Sequence, residues 1–393
     1  MNDFDEQLRK LIHMERHNFA GSSSRAIVEL VNLLFNFAIK IRASDLHIEP
    51  FEKSLRVRYR IDGQLQELHQ PLPLNLADAL TSRIKILARM DTTAAFQPLD
   101  GAIQFGNVEM RVASMPSFGA ESLTIRLLDS SLELHNLRDL GFTETNEKIF
   151  RQMIDSAAGM IILTGPMNSG KSTTLYAALR ELNQPTRSIM TLEDPIEQHV
   201  EGISQVQVNE KTGLTFAAGL RAMLRMDCNV LMVGEARDAE TSKIAVRAAL
   251  TGHLIFTTLH ANDSCSAVFR MLEMGVEPYL LAATLKGVVA QRLVRRLCPN
   301  CKGVGCEHCR GTGYSGRIAL HEILSVDKNL RSLILNSRDL DEIKTSALEA
   351  GLKTLADDAL EKVRAGLTTL TEVRRVLGAD FIKGDDNLGL QKK

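Results

Sequence analysis

The sequence predicts an α/β protein built around a phosphate-binding loop, and three observations carry that expectation. Gly165-Pro-Met-Asn-Ser-Gly-Lys-Ser172 fits the glycine-rich phosphate-loop pattern. It stands between Met160–Thr164, a short apolar run that reads as a buried strand, and Ser172–Leu182, whose apolar residues recur at helical spacing. Further along, three apolar runs end in acidic or histidine residues. Parallel strands deliver side chains to a site at their C-terminal edge in this way.

A glycine-rich turn between strand and helix points backbone N–H groups and the positive helix end at phosphate. Gly165, Pro166, Met167, Asn168, Ser169, Gly170, Lys171, Ser172 and Thr173 are therefore the expected nucleotide contacts. Lys171 would reach the β- and γ-phosphates, and the Ser172 hydroxyl would hold Mg²⁺. Ile189-Met-Thr-Leu-Glu-Asp-Pro-Ile-Glu197 runs apolar and turns acidic at a proline, placing Glu193 and Asp194 at a strand end. Asn229-Val-Leu-Met-Val-Gly-Glu-Ala-Arg-Asp238 places Glu235 beyond a second strand. A P-loop ATPase needs a water-activating or water-positioning group near the γ-phosphate there. Thr251–His260 brackets a third strand with His253 and His260.

Taken in order, these segments resemble the secretion ATPases of type II secretion and type IV pilus assembly, the GspE/PilB group, over about residues 25 to 380. Gly165–Thr174 resembles the Walker A loop and Thr191–Glu197 the aspartate box. Leu224-Arg-Met-Asp227 with Val233–Asp238 resembles the Walker B segment, and Thr251–His253 through Thr258–Asp263 the histidine box. Ala43–Pro50 and Val57–Gly63 resemble the family's second N-terminal domain. The chain departs from the pattern at Met167-Asn168-Ser169, where Thr-Gly-Ser is usual, although Asn168 tolerates left-handed backbone angles. It also departs at Met226–Asn229, at Ala236 in place of isoleucine, and at Gln97–Ala102, which lacks the arginine after glycine.

The resemblance implies a RecA-like P-loop ATPase core at residues 141–297 and a smaller α/β domain at 25–130. It further implies a linker at 131–140, a zinc knuckle at 298–318, a helical C-terminal subdomain at 319–383 and a flexible tail at 384–393. Residues 1–24, polar and ending in Ala20-Gly-Ser-Ser-Ser24, read as an N-terminal arm that is a linker or a helix start. Ile27–Ile39 reads as an amphipathic helix, and Leu55-Arg-Val-Arg-Tyr-Arg-Ile61 as a strand with arginines on one face; Met110–Ser114 and Leu123–Leu128 look similar. That arginine face is either solvated or reaches the γ-phosphate when the small domain closes. The motif match favours Arg111 and Arg126, with Arg58 and Arg60 behind them. Glu235, Glu193 and Lys171 complete the expected catalytic set. Asp194 joins Ser172 on Mg²⁺, and His253 and His260 couple nucleotide state to neighbouring strands or a neighbouring subunit.

Six cysteines are present. Cys228 and Cys265 stand alone and read as small buried residues. Cys298-Pro-Asn-Cys301 and Cys306-Glu-His-Cys309 form two close pairs that argue for a tetrathiolate Zn²⁺ site. Gly303 and Gly305 let the short connection fold back; His308 lies between two ligands and could replace one, although four thiolates are preferred, and a redox pair is the main rival to zinc. Family members carry the same pairs with a longer loop between them. Retraction ATPases generally lack the knuckle, so its presence favours assembly or secretion.

With 47 basic and 48 acidic side chains, the chain gives no global signal for nucleic acid, and no direct nucleic-acid binding is expected. No apolar run approaches a bilayer span, and the acidic start is no signal peptide. A cytoplasmic location is expected, with peripheral association at the inner membrane through partners. The resemblance implies an ATP-driven homo-hexamer acting on an inner-membrane platform protein. Only some 24 residues precede the second-domain motif, so platform docking falls to that arm or to another surface. Two alternatives stand beside this reading: an assembly ATPase for a DNA-uptake pilus, and a ring component that binds ATP but hardly hydrolyses it.

Overall fold

The computed structural model describes residues 2–17, 25–68, 70–94, 97–117, 119–129, 136–336 and 339–379. The expected tail at 384–393, the Ala20–Ser24 stretch and residues 131–135 of the expected linker lie outside them. The chain divides into two compact units, Met1–Glu133 and Leu134–Lys393.

The first unit is a one-sided antiparallel sheet. Its strands are β1 (Asp45–Pro50), β2 (Ser54–Ile61), β3 (Gln64–Glu67), β4 (Leu72–Pro73), β5 (Leu99–Phe105), β6 (Val108–Pro116) and β7 (Glu121–Asp129). They lie in the order β3-β2-β1-β7-β6-β5, with β4 paired to β2. Strict alternation in β2 and β6 sends Leu55, Val57, Tyr59, Met110 and Val112 to one face. Helices α1 (Asn2–His17), α2 (Arg25–Lys40) and α3 (Ala77–Leu87) share the core with that face. α1 falls within the segment expected as an arm; Phe4, Leu8, Leu11 and Ile12 join the core, and Phe4 stacks on Phe37 with ring centroids 3.9 Å apart.

The second unit is built on a sheet buried from both sides. After α4 (Glu144–Ile154) come β8 (Gly159–Thr164), α5 (Lys171–Leu182), β9 (Ile189–Glu193), β10 (Ser204–Gln207), α6 (Phe216–Met223) and β11 (Val230–Val233). Then follow α7 (Ala239–Leu250), β12 (Leu254–Leu259), α8 (Ser264–Glu273), α9 (Pro278–Thr284), β13 (Leu285–Leu297) and β14 (Tyr314–Ser325). The strand order is β10-β9-β11-β12-β8-β13-β14, parallel throughout except for the antiparallel β13/β14 pair. Every residue of β8, β9, β11 and β12 is buried, which is why these strands read as continuous apolar runs rather than alternating ones. Two apolar clusters hold the sheet: one includes Ile162, Leu231, Ile255 and Val268, the other Ile161, Leu163, Leu179 and Phe256.

Helices α10 (Lys328–Asn336), α11 (Leu340–Glu349), α12 (Leu355–Arg364) and α13 (Leu370–Leu377) complete the unit. Leu355, Ala359, Val373 and Leu377 pack on Ala290 and Val294 of β13 and Leu320 of β14. Among the described residues, no helix is long and apolar enough to cross a membrane.

Candidate nucleotide site and cysteine cluster

The phosphate loop leaves the C-terminal end of β8 and enters α5. It turns on left-handed residues: Asn168 has φ 61° and Gly170, which caps the helix, φ 86°. Asparagine is among the few side-chain-bearing residues that adopt this conformation readily, so the unusual Met167-Asn168 still closes the turn. Gly165 is needed for space as well as conformation, since a Cβ there would lie 2.5 Å from the Gln291 carbonyl oxygen. Pro166, Met167 and Asn168 are exposed, whereas Ser169 and Lys171 are buried; Ser172 is half-buried and Thr173 open to solvent.

Lys171 donates to the carbonyls of Gly165 at 2.7 Å and Pro166 at 2.9 Å, so its ammonium folds back over the loop. Burial pushes its pKa down to about 8, and the negative charge of Glu235 opposes that shift. The ammonium is thus an under-compensated cation at a helix N-terminus, where a polyphosphate would supply the missing negative charge.

The two acidic strand ends meet at the same sheet edge. Glu235 follows β11; Arg237 bonds its Oε1, and His260 Nε2 lies 3.8 Å from its Oε2. The same Arg237 guanidinium stands 3.8 Å from exposed Asp194 after β9. The bond to Glu235 raises the Arg237 pKa. Arg237 therefore joins the two expected carboxylate positions, a role its place in the motif did not reveal.

Glu193 differs from its neighbour Asp194. Its carboxylate is buried and accepts from Tyr176 Oη, from Thr191 Oγ1 at 2.5 Å and from Gln205 Nε2 at 3.1 Å. Burial and the Glu193 bond both push the Tyr176 pKa up. With three protein donors, Glu193 anchors β9, β10 and α5 together. Tyr176 and Gln205 belong to no pattern that sequence reasoning singles out.

The two histidines stand at opposite ends of β12. His260 follows the strand and faces Glu235, whereas His253 precedes it and contacts the Ala248 carbonyl through Nδ1 at 3.1 Å. Seven residue steps of extended chain set them about 23 Å apart. They do not form one cluster, because a parallel strand presents its two ends to opposite edges of the sheet.

The arginines of the first unit form a lattice on the polar face of their sheet. Asp45 on β1 pairs in register with Arg60 on β2 and Arg126 on β7, and binds each at 3.2 Å. Glu49 takes Arg58 at 2.8 Å and Arg56 at 3.2 Å. Arg111 on β6 sits opposite Arg126, with Glu109 3.9 Å away. Arg111 and Arg126 are thus adjacent cations, 40% and 52% exposed, enough to meet an outside anion.

The four paired cysteines sit at the tip of the β13/β14 hairpin, their sulfurs within 4.8 Å of one another. Cys298–Cys306, Cys301–Cys309 and Cys306–Cys309 Sγ separations are 3.8, 3.6 and 3.7 Å. A tetrahedron with Zn–S of about 2.3 Å has edges of about 3.8 Å, so the cluster fits zinc. The N–H groups of Gly305 and Gly313 donate to Cys301 and Cys309 sulfur at 3.2 Å, as thiolates require. Each Cys-x-x-Cys is followed by a basic residue and a glycine with positive φ: Lys302 and Gly303, then Arg310 and Gly311. His308 faces Ser315 Oγ at 3.3 Å and is outside the cluster. Cys228 and Cys265 are buried singly.

Residues 21–375 match the family model described as type II/IV secretion system protein. The chain is 45% identical to the type II secretion system ATPase E of Vibrio cholerae serotype O1 over 379 residues, spanning 89% of this chain and 75% of that protein. It is 43% identical to the type IV pilus assembly ATPase PilB of Myxococcus xanthus, spanning 88% of this chain and 67% of that one. Among solved structures it is similar to the pilus retraction motor PilT with bound ADP, at 26% identity and a TM-score of 0.65 over 87% of this chain and 95% of that one.

Proposed function

The chain belongs to the type II/IV secretion system protein family, and we propose that it is an ATP-hydrolysing motor subunit for type II secretion or type IV pilus assembly. One observation carries the reading. Lys171 on the phosphate loop and Glu235 beyond β11 converge on one edge of a parallel sheet, close enough for the Glu235 charge to act on the lysine. Nucleotide phosphates bind at such an edge, and the groups that position water for γ-phosphate attack stand beside them. The family relatives named as secretion and pilus-assembly ATPases and the ADP-bound retraction motor support it.

In this mechanism the loop N–H groups and Lys171 hold the β- and γ-phosphates. Ser172 and Asp194 would hold Mg²⁺, which would supply charge neutralisation to the phosphates. Glu235 positions water once Arg237 gives up its bond, and Arg111 and Arg126 meet the γ-phosphate as the first unit closes. His260 reports on Glu235, whereas His253 acts from the far end of β12. The motor works as a homo-hexamer at the cytoplasmic face of the inner membrane, moving a platform protein, with Zn²⁺ in the cysteine cluster.

The test is Mg²⁺-dependent ATP hydrolysis by wild type and Glu235→Gln. Turnover is expected to fall about 10²- to 10⁴-fold in the variant while ATP binding persists. Binding without turnover in wild type, even with membranes and the platform protein, would remove the motor and leave a nucleotide-binding ring component.

A further inference from the structure

We infer that Gln291, a residue of β13 outside every motif, is a positioning residue that holds the 165–173 loop in its phosphate-receiving shape. The inference rests on reading that loop as the nucleotide site. Ala290 pairs with Thr164, the last residue of β8, so Gln291 is the first residue of β13 beyond the end of β8, while on the other side it stays paired with His321 of β14. It is 2% exposed, an uncharged amide at the end of the apolar run Gly287–Ala290 and directly before Arg292. Buried polar side-chain groups are as a rule hydrogen-bonded.

Its bonds bridge two elements. Oε1 accepts from Thr174 Oγ1 at 2.8 Å in the first turn of α5, and Nε2 donates to the Ser169 carbonyl at 2.9 Å inside the loop. The orientation of the amide follows from chemistry, because a carbonyl can only accept and so must face the NH₂ end. Both loop glycines press on the same residue. A Cβ at Gly165 would lie 2.5 Å from the Gln291 carbonyl oxygen, and one at Gly170 would lie 2.7 Å from Nε2. The brace therefore sets where the loop backbone runs at both ends.

A second observation points to a ligand. Ser169 Oγ is buried and has no hydrogen-bond partner among the described residues. This hydroxyl belongs to the loop itself and is given no partner by the described residues, a need that a phosphate oxygen can meet. Gln291 fixes the carbonyl of the same residue and so fixes where that hydroxyl is. Arg292, next along β13, donates to the Gln291 carbonyl at 3.0 Å and to the Asn262 carbonyl at 2.7 Å. The braced segment is thereby tied to the loop that follows His260. A loop ordered before binding does not have to be ordered by its ligand, and affinity rises accordingly.

Glutamate at 291 tests this directly. It keeps the shape and the acceptor for Thr174, but as a carboxylate it sets oxygen against the Ser169 carbonyl. Protonated, it regains a donor. MgADP affinity is measured from pH 6 to pH 9 on the full zinc-loaded chain for wild type, Gln291→Glu, Gln291→Leu and Thr174→Val, alongside the thermal midpoint without nucleotide. Gln291→Glu is expected to bind about ten-fold or more weakly at pH 8.5 and to recover towards wild type as the pH falls. Gln291→Leu is expected to stay weak throughout, and steady-state turnover should show the larger share of the loss in KM rather than kcat. Equal affinity in all variants overturns the inference. So does a loss in Gln291→Glu that does not recover in acid, because a general packing defect would not follow that proton. Should Gln291→Leu fail to fold, the pH response of Gln291→Glu still decides the matter. A wild type that binds no MgADP at any pH overturns the nucleotide reading itself.

Discussion

The two sheets of this chain handle charge in opposite ways. In the first unit, ionised side chains cover one face in cross-strand pairs, and Asp45 alone serves both Arg60 and Arg126. In the second, the central strands such as β8 and β11 are apolar along their length, and a charged cluster gathers at one edge, where Lys171, Asp194, Glu235, Arg237 and His260 meet. A paired lattice is redundant, and losing one member leaves neighbours that water and other ions compensate. An edge cluster has few substitutes, so the charge at each position is expressed at full strength. The contrast predicts where a single side chain matters.

The largest effect is expected at the edge. Lys171→Ala should weaken MgATP binding by at least about 100-fold, measured by titration calorimetry, since it removes a buried cation from the phosphate loop. The same lysine gives a proton signature. Burial holds its pKa at about 8, and bound phosphates would raise it. Binding above pH 8 should therefore take up a proton, seen as a heat that depends on the buffer's ionisation enthalpy, and affinity should fall as the pH rises past 8. An affinity that stays level from pH 7 to pH 9.5 would break the contrast at its strongest point.

An intermediate effect is expected at Glu372, where the second unit does pair its charges. Burial alone would raise its pKa, but bonds from Arg375 and Arg295 hold it at about 2. A depressed carboxylate stabilises fully above its unfolded pKa near 4.5, and that contribution is lost as the pH falls from there towards 2. Glu372→Gln should cost about 3 kcal/mol at neutral pH in denaturant unfolding. The gap to wild type should close on acidification through that window; a constant gap would show that packing rather than ionisation holds α13 to β13.

The smallest effect on stability belongs to the lattice. Arg126 is half exposed and shares its partner, so Arg126→Ala should cost about 0.5 kcal/mol or less. Turnover sharpens the comparison, because an arginine that meets the γ-phosphate across the units would lower kcat far beyond any change in stability. Loss of stability without loss of turnover would return Arg126 to a merely solvated face.

Legibility followed the same division. The strands of the second sheet could be read from sequence because burial on both faces makes them continuous apolar runs, as at Met160–Thr164 and Val230–Val233. Their ends carry Glu193, Asp194, Glu235 and His260 because chain direction alone brings them to one edge. What the sequence hid depends on partners distant along the chain. Gln291 sits in a stretch that announces no chemistry, and its partners Ser169 and Thr174 lie more than 110 residues away. The β13/β14 hairpin was obscured by charged residues such as Arg292 and Arg295 in β13 and by the cysteine segment between its strands. α1 reads as polar unless Phe4, Leu8, Leu11 and Ile12 are seen as one helical stripe. His253 and His260 read from the sequence as the two ends of one strand, and β12 lies between them.

The repeated form of the cysteine cluster has a further consequence. Each half completes its own turn, a Cys-x-x-Cys closed by a basic residue and a glycine in left-handed conformation, before the chain moves to the other half. Between the halves, Gly305 also donates its N–H to Cys301 sulfur. Here the connection from Cys301 to Cys306 is four residues, Lys302–Gly305. At its apex Val304 is 89% exposed, and that residue offers a place to graft a fluorophore or an epitope without disturbing the sulfurs.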